Sequence, residues 1–241
     1  MEVVYPVARN VLWPPLRFGL RWTIEGARFV PSRGPVILVS NHHSYLDPFT
    51  LAYVADTRHR RVRFLAKAEL FEKRPLGALL RGAHQIPVLR NSPSAAGSLQ
   101  AAVDAVRAGE CVAIFPEGTI SLDLDPMAGK SGTARLAQAT GVPVTPVGLW
   151  GTHRILFKGR DPEWRWGVPQ TAVVGPPLRI RPDEPVDVAT DRIMAEICRC
   201  LARARELYPE RPGAGEDDWW YRPPETARLR SCRRRPPEVA S

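Results

Sequence analysis

The chain has 241 residues, enough for one well-buried domain with an extension at either end, and its 44% hydrophobic and 24% charged content is that of a globular protein. Lys and Arg number 34 against 25 Asp and Glu, and the formal charge of +9 suits anionic partners: lipid headgroups, phosphorylated substrates, coenzyme A or nucleic acid. The four cysteines (Cys111, Cys198, Cys200, Cys232) form no CxxC pair and no zinc-like spacing, so free thiols are expected; no secretory signal and no apolar run near the ~18 residues of a bilayer span is visible.

Residues 1–30 mix apolar and basic side chains: Val11, Leu12, Trp13, Leu16, Phe18 and Leu20 stand among Arg9, Arg17 and Arg21. This amphipathic stretch either lies at a membrane interface or packs on the domain, and Pro14 and Pro15 are expected to break or kink a helix there. Trp22 to Glu25 alternates as a strand does, and Pro31 to Pro35 turns the chain into the apolar run Val36-Ile37-Leu38-Val39, which reads as a buried strand. A helix is expected from Pro48 to Ala55, a strand from Val62 to Ala66 ending at Lys67, a short helical region from Glu69 to Leu80, and a strand from Gln85 to Leu89 closing at Arg90.

Ala95, Leu99, Ala102, Val103 and Val106 follow the 3.6-residue period, and Gly109 sits where a helix stops. Cys111 to Phe115 is a second buried strand, followed by Pro116-Glu117-Gly118-Thr119 and an Asp-rich loop. A helix from Gly132 to Thr140 leads to Val142–Val147, whose prolines favour a sheet edge or an irregular ladder. Thr171 to Ile180 adds a strand and Asp191 to Leu207 a helix with Ile193, Ile197 and Leu201 on one face. Strands alternating with helices predict an α/β domain over residues 31–208, a single domain with a largely parallel or mixed central sheet flanked by helices. Residues 209–241 are rich in Pro and Arg and read as a flexible tail, with Trp219, Trp220 and Tyr221 available to anchor part of it.

In such sheets, sites gather beyond the carboxyl ends of the strands, and His42, Lys67, Arg90 and Glu117 each follow an apolar strand. His42 and Asp47 admit two readings. Ser44 to Asp47 has capping-box spacing, so Asp47 favours a helix start and His42 is incidental; or Asp47 orients His42 as a general base toward a substrate hydroxyl. A metal held by His42, His43 and Asp47 is a weaker alternative, since no further ligand spacing accompanies them.

Asn41-His42-x-Ser44-x-x-Asp47 resembles the first motif of the glycerolipid acyltransferase family, which includes the bacterial 1-acylglycerol-3-phosphate acyltransferases. Phe115-Pro116-Glu117-Gly118-Thr119 is similar to the third motif, Gly82 to Arg90 to the second, and Val142 to Val147 to the fourth; the four stand in the family's order between Pro31 and Trp150. The resemblance implies a glycerol-3-phosphate acyltransferase-like fold and transfer of a fatty acyl group from acyl-CoA or acyl carrier protein to the free hydroxyl of a lysophosphatidate-like acceptor, in phospholipid biosynthesis. It implies His42 as base oriented by Asp47, with Asn41 and Ser44 supporting them. Lys67 and Arg90 would hold the acceptor phosphate, and Glu117, Gly118 and Thr119 would shape the acceptor pocket. No metal or prosthetic group is implied beyond the thioester co-substrate. The enzyme is expected at the cytoplasmic face of the plasma membrane, peripheral or monotopic, with no nucleic-acid partner.

Two features complicate this. Ile120 stands where the family commonly has Arg, which puts the acceptor headgroup in question, with Lys130 or Arg135 as substitutes. His42-His43-x-x-x-Asp47 also resembles the core of condensation-type acyltransferases, in which the second histidine is the base. The competing readings are a different acceptor, or a basic peripheral protein that binds lipid or nucleic acid.

Overall fold

A computed structural model describes residues 4–89 and 95–223. Its centre is a seven-stranded sheet in the order β1-β7-β6-β2-β5-β3-β4. The strands are β1 (Leu20–Glu25), β2 (Val36–Ser40), β3 (Val62–Lys67), β4 (Ile86–Val88), β5 (Cys111–Ile114), β6 (Val144–Trp150) and β7 (Val168–Val174). The helices are α1 (Val4–Gly19), α2 (Asp47–Asp56), α3 (Leu76–Gly82), α4 (Ala95–Arg107), α5 (Gly132–Thr140) and α6 (Val186–Leu207). Strands β6, β2, β5, β3 and β4 run parallel, and β7 is antiparallel to β6. At the far edge β1 runs parallel to β7.

The run Val36–Val39 is apolar at every position because both faces of β2 are covered. Ile37 and Val39 join the core packed under α4, α5 and α6, while Val36 and Leu38 join the core on the opposite face with Leu51, Val54 and Ala55 of α2. Gly109, at φ 83°, ends the turn after α4 in the left-handed region that glycine adopts freely.

Three local expectations change. Helix α1 continues through Pro14 and Pro15. Tertiary contacts hold it: Trp13 donates from Nε1 to Asp56 Oδ2 at 2.7 Å, Trp22 donates to the Leu16 carbonyl at 2.7 Å, and the Trp13 and Trp22 rings both pack on Tyr53. The strand containing Pro146 lies inside the sheet, not at its edge. Pro146 loses only a donor there, and its carbonyl still accepts from Gly175 N at 2.9 Å. Cys111 and Cys200 are free and buried, but Cys198 is disulfide-bonded.

The outermost described segments are tied to the domain. β1 belongs to the sheet, and beyond α6 Tyr208 and Trp220 are buried with Trp150, Leu201 and Ala204 in a third apolar cluster.

Helix α6 crosses β6 so closely at Gly148 that a Cβ there would lie 2.2 Å from the backbone of Cys200 and Leu201. Gly148→Ala is therefore expected to cost about 3 kcal/mol or more through overpacking, lowering the melting temperature by roughly 6–12 °C. A thermal unfolding scan checks this; an unchanged midpoint contradicts the close approach.

Candidate active site

The site is built where β2 ends. Ser40 is the last residue paired with β6, opposite Val147, and Asn41 extends that pairing through its side chain. Its Oδ1 accepts from Leu149 N at 2.8 Å and its Nδ2 donates to Leu149 O at 3.0 Å, as a backbone amide in a ladder does. The same Nδ2 lies 2.7 Å from His43 Nδ1. The chain then turns sharply, with Ser44 Oγ accepting from Leu46 N at 3.0 Å and donating to Leu156 O at 2.7 Å. Helix α2 starts at Asp47, whose carboxylate reaches back into this turn.

Asp47 is wholly buried and engaged on both oxygens. Oδ2 accepts from His43 N at 2.7 Å and Ser44 N at 2.8 Å and lies 3.0 Å from His42 Nδ1. Oδ1 accepts from Thr152 Oγ1 at 2.6 Å. Half of a capping box is present: the acidic side chain bonds the Ser44 N–H, but Ser44 Oγ serves Leu46 rather than Asp47. The cap and the His–Asp pair are therefore one structure. Burial opposes ionisation of Asp47, but the neighbouring His43 and His42 rings and the Thr152 hydroxyl outweigh it and hold the carboxyl at about 2.

An ionised Asp47 accepts the proton of His42 Nδ1, which leaves Nε2 as the ring's proton acceptor. The His42 ring stacks on Phe115, with centroids 4.2 Å apart and planes at 22°. Its backbone is held from the loop after β5. Glu117 Oε1 accepts from His42 N at 2.8 Å, and Ser121 N donates to His42 O at 2.7 Å. The side chain keeps 16% exposure.

His43 is placed differently. It is 1% exposed, its Nδ1 faces Asn41, and burial pushes it down to about 4, so it is neutral at physiological pH. Behind it stands His153, whose Nε2 lies 2.9 Å from Trp220 O, with ring centroids 4.8 Å apart. Among the described residues, no group of three or more His, Cys, Asp or Glu side chains is arranged to hold a metal ion.

The third-motif residues separate by role. Glu117 is turned inward onto backbone. It is 3% exposed, and its second oxygen accepts from Met127 N at 2.7 Å, so both oxygens hold backbone. Burial pushes its carboxyl up to about 8 against the pull of those two N–H bonds. Gly118 adopts φ 69°, and a Cβ there would lie 3.2 Å from Lys130 Nζ, so Lys130 runs across this glycine. Thr119 is exposed, whereas Ile120 is buried. Lys67 ends β3 and pairs with Glu69 at 3.0 Å while half exposed. Extending the β3–β5 and β2–β5 registers sets it level with Pro116 and Asn41, about 10 Å from β2 across two strand spacings. Arg90 lies outside the described residues.

Thr152 and Ser121 complete the arrangement and were not singled out from the sequence, where Phe115 entered only as part of the third motif. Thr152 follows β6 as His42 follows β2, so the strand-end rule applied to β6 would have found it.

Asp47→Asn keeps the shape and removes the charge. Because the folded value lies below the unfolded 3.8, the wild-type carboxylate contributes its full stability above that pH and loses it as pH falls towards 2. The wild type is expected to exceed the variant by about 2 kcal/mol at pH 7, with the gap closing in that acid window. Chemical denaturation of both proteins at several pH values checks the sign; a gap independent of pH contradicts it.

A family model described as Acyltransferase matches residues 21–150, a span that holds β2 to β6 with His42, Asp47, Phe115, Glu117 and Ser121. A chloroplastic 1-acyl-sn-glycerol-3-phosphate acyltransferase from Brassica napus is 34% identical over 142 residues, 57% of this chain and 40% of that protein. The 1-acyl-sn-glycerol-3-phosphate acyltransferase of Bacillus subtilis is 28% identical over 131 residues, 54% of this chain and 63% of that one. Both matches thus span less than two thirds of the relative's length. The crystal structure of the 1-acyl-sn-glycerophosphate acyltransferase PlsC from Thermotoga maritima has the same fold, with a TM-score of 0.65 at 24% identity over 88% of this chain and 86% of that one. With its matching strands, its turn and its paired His42 and Asp47, the chain belongs to the acyltransferase family.

Proposed function

We propose that this protein transfers a fatty acyl group from a thioester, on coenzyme A or acyl carrier protein, to the free hydroxyl of 1-acylglycerol-3-phosphate or a related lysophospholipid, in phospholipid biosynthesis. The observation that carries the reading is the His42 Nδ1 contact with the buried Asp47 at 3.0 Å, which turns Nε2 into a base at the carboxyl edge of the sheet. In this mechanism Nε2 takes the proton of the acceptor hydroxyl as its oxygen attacks the thioester carbonyl carbon. The tetrahedral intermediate collapses, the carbon–sulfur bond breaks, and the imidazolium returns its proton to the departing thiolate. Asp47 stays ionised and stabilises the imidazolium. Phe115, Glu117 and Ser121 hold the ring and its backbone in place.

The acceptor phosphate needs cations at the same edge. Lys67 and Arg90 fill that role in this reading, and Lys130 adds one against Gly118. Ile120 faces the interior and takes no part. That difference favours a second reading, the same chemistry on an acceptor whose headgroup is not a plain phosphate monoester. The enzyme works at the cytoplasmic face of the plasma membrane, on its surface rather than through it. Among the described residues no helix is long and apolar enough to cross a membrane. Neither nucleic acid nor a prosthetic group has a part in the scheme.

Free-thiol release from acyl-CoA, or from acyl carrier protein in a parallel assay, tests the mechanism with lysophosphatidate as acceptor. His42→Ala is expected to lose roughly 10²–10⁴-fold in kcat, the range for a general base; thiol release at the wild-type rate contradicts it. For the headgroup, Lys130→Met is expected to raise KM for lysophosphatidate several-fold with little change in kcat, as loss of binding made equally in ground and transition states does. An equal rise with monoacylglycerol, which lacks the phosphate, counts against a phosphate contact.

A further inference from the structure

The four most exposed large apolar side chains among the described residues are Trp166 at 81%, Phe18 at 78%, Trp164 at 71% and Val11 at 66%. They do not scatter. Phe18 and Val11 lie on α1, and the tryptophans lie in the connection between β6 and β7. The two segments meet at Gly19, where Gly167 N donates to Gly19 O at 2.7 Å and Arg21 Nε donates to Gly167 O at 2.7 Å. The Trp166 ring lies over Gly19, close enough that a Cβ there would stand 2.8 Å from it. Glu163 N donates to Ile155 O at 2.9 Å, so the loop is also fixed where it leaves the domain. Aromatic side chains are thus held outward on built backbone, in a position that water does not favour.

The topology says which way this cluster faces. β2 and β6 carry their carboxyl ends to the edge where His42 stands. β7 is antiparallel to β6 and β1 is parallel to β7, so both begin at that same edge. Ser40 pairs with Val147, Trp150 with Thr171 and Leu20 with Val168, which sets the cluster about six residues, or roughly 20 Å, beyond the end of β2 along the strand direction. Leu156, at the start of the same connection, accepts from Ser44 Oγ, so the loop that carries the tryptophans also contacts the turn that carries His42.

We propose that Phe18, Trp164 and Trp166 form a membrane-contact face that seats this edge of the sheet on an anionic lipid bilayer. Indole rings prefer the headgroup region of a bilayer, and exposed cations beside them add attraction to anionic lipid. Arg17 lies 5.8 Å over the Phe18 ring, and Lys158 is exposed at the start of the tryptophan loop. The whole chain carries a charge of +9, which suits an anionic surface better than a second copy of itself. The idea takes from the proposed reaction only that an acceptor with an acyl chain resides in such a surface; the binding itself requires no catalysis.

Sedimentation with vesicles of phosphatidylcholine, with and without phosphatidylglycerol and free of donor and acceptor, reads the binding alone. Wild type is expected to partition onto the anionic vesicles, and Trp164→Ala/Trp166→Ala to lose roughly tenfold or more in partitioning, with Phe18→Ala weaker than wild type. Val188→Ala, which trims an exposed apolar residue on α6, is expected to bind as wild type does. Thermal melting reports whether each variant folds. If the double variant does not, Trp164→Glu alone serves, because it places a carboxylate against the anionic surface without touching Gly19. Equal binding by folded tryptophan variants and wild type overturns the proposal, as does a wild type that ignores vesicles. A tryptophan-dependent dimer in sedimentation velocity, with vesicle binding unchanged, would assign the face to a second copy instead. Acyl transfer in detergent by a variant that no longer binds vesicles leaves the catalytic reading intact, so the two fail separately.

Discussion

A buried carboxylate without partners costs several kcal/mol, and Asp47 is buried completely. Its stability rests on donors that arrive from three directions. Two are the backbone N–H groups of His43 and Ser44, which converge on Oδ2 only because the chain turns immediately after β2. One is the hydroxyl of Thr152, delivered by the chain after β6. The last is the His42 ring. The position in the first turn of α2 adds the favourable end of the helix dipole. The turn, the helix start and the orientation of the imidazole thus all depend on one side chain.

The loop after β5 completes the grip. Glu117 and Ser121 take the N–H and the C=O of His42, and Phe115 supplies the face against which its ring lies. Two carboxyls within one site are driven apart, Asp47 down to about 2 and Glu117 up to about 8. Both are penalised by burial, but Asp47 has imidazole rings and a hydroxyl beside it, and Glu117 has only two backbone donors. One is a permanent anion that orients the imidazole; the other is a strut between segments. The geometry around His42 is therefore a property of the joint between two distant segments, as expected where precision comes from supporting contacts.

Much of this was legible in the sequence because its signals are local. Val36–Val39 is apolar at every position, since helices cover both faces, and His42 follows it directly. Ser44 and Asp47 carry their spacing within one turn. What could not be read lies across large separations. Thr152 meets Asp47 across 105 positions, and Glu117 meets His42 across 75, so no periodicity encodes either contact. Sequence reports that Glu117 follows a strand, not that it turns back onto the His42 and Met127 backbone. The prolines of α1 and β6 misled for the opposite reason: local propensity disfavours both placements, and tertiary packing overrides it.

The proposed chemistry depends on where the proton of His42 sits. Because Asp47 accepts from Nδ1, the neutral ring must carry its hydrogen there and leave Nε2 bare. Nitrogen-15 NMR of the labelled protein at a pH where the ring is neutral reads this directly, with His42 assigned by comparison with His42→Ala. A protonated signal at Nδ1 and an unprotonated one at Nε2 are expected. A neutral His42 with its hydrogen on Nε2 would contradict the proposed chemistry, since that nitrogen could then take no proton from an acceptor hydroxyl.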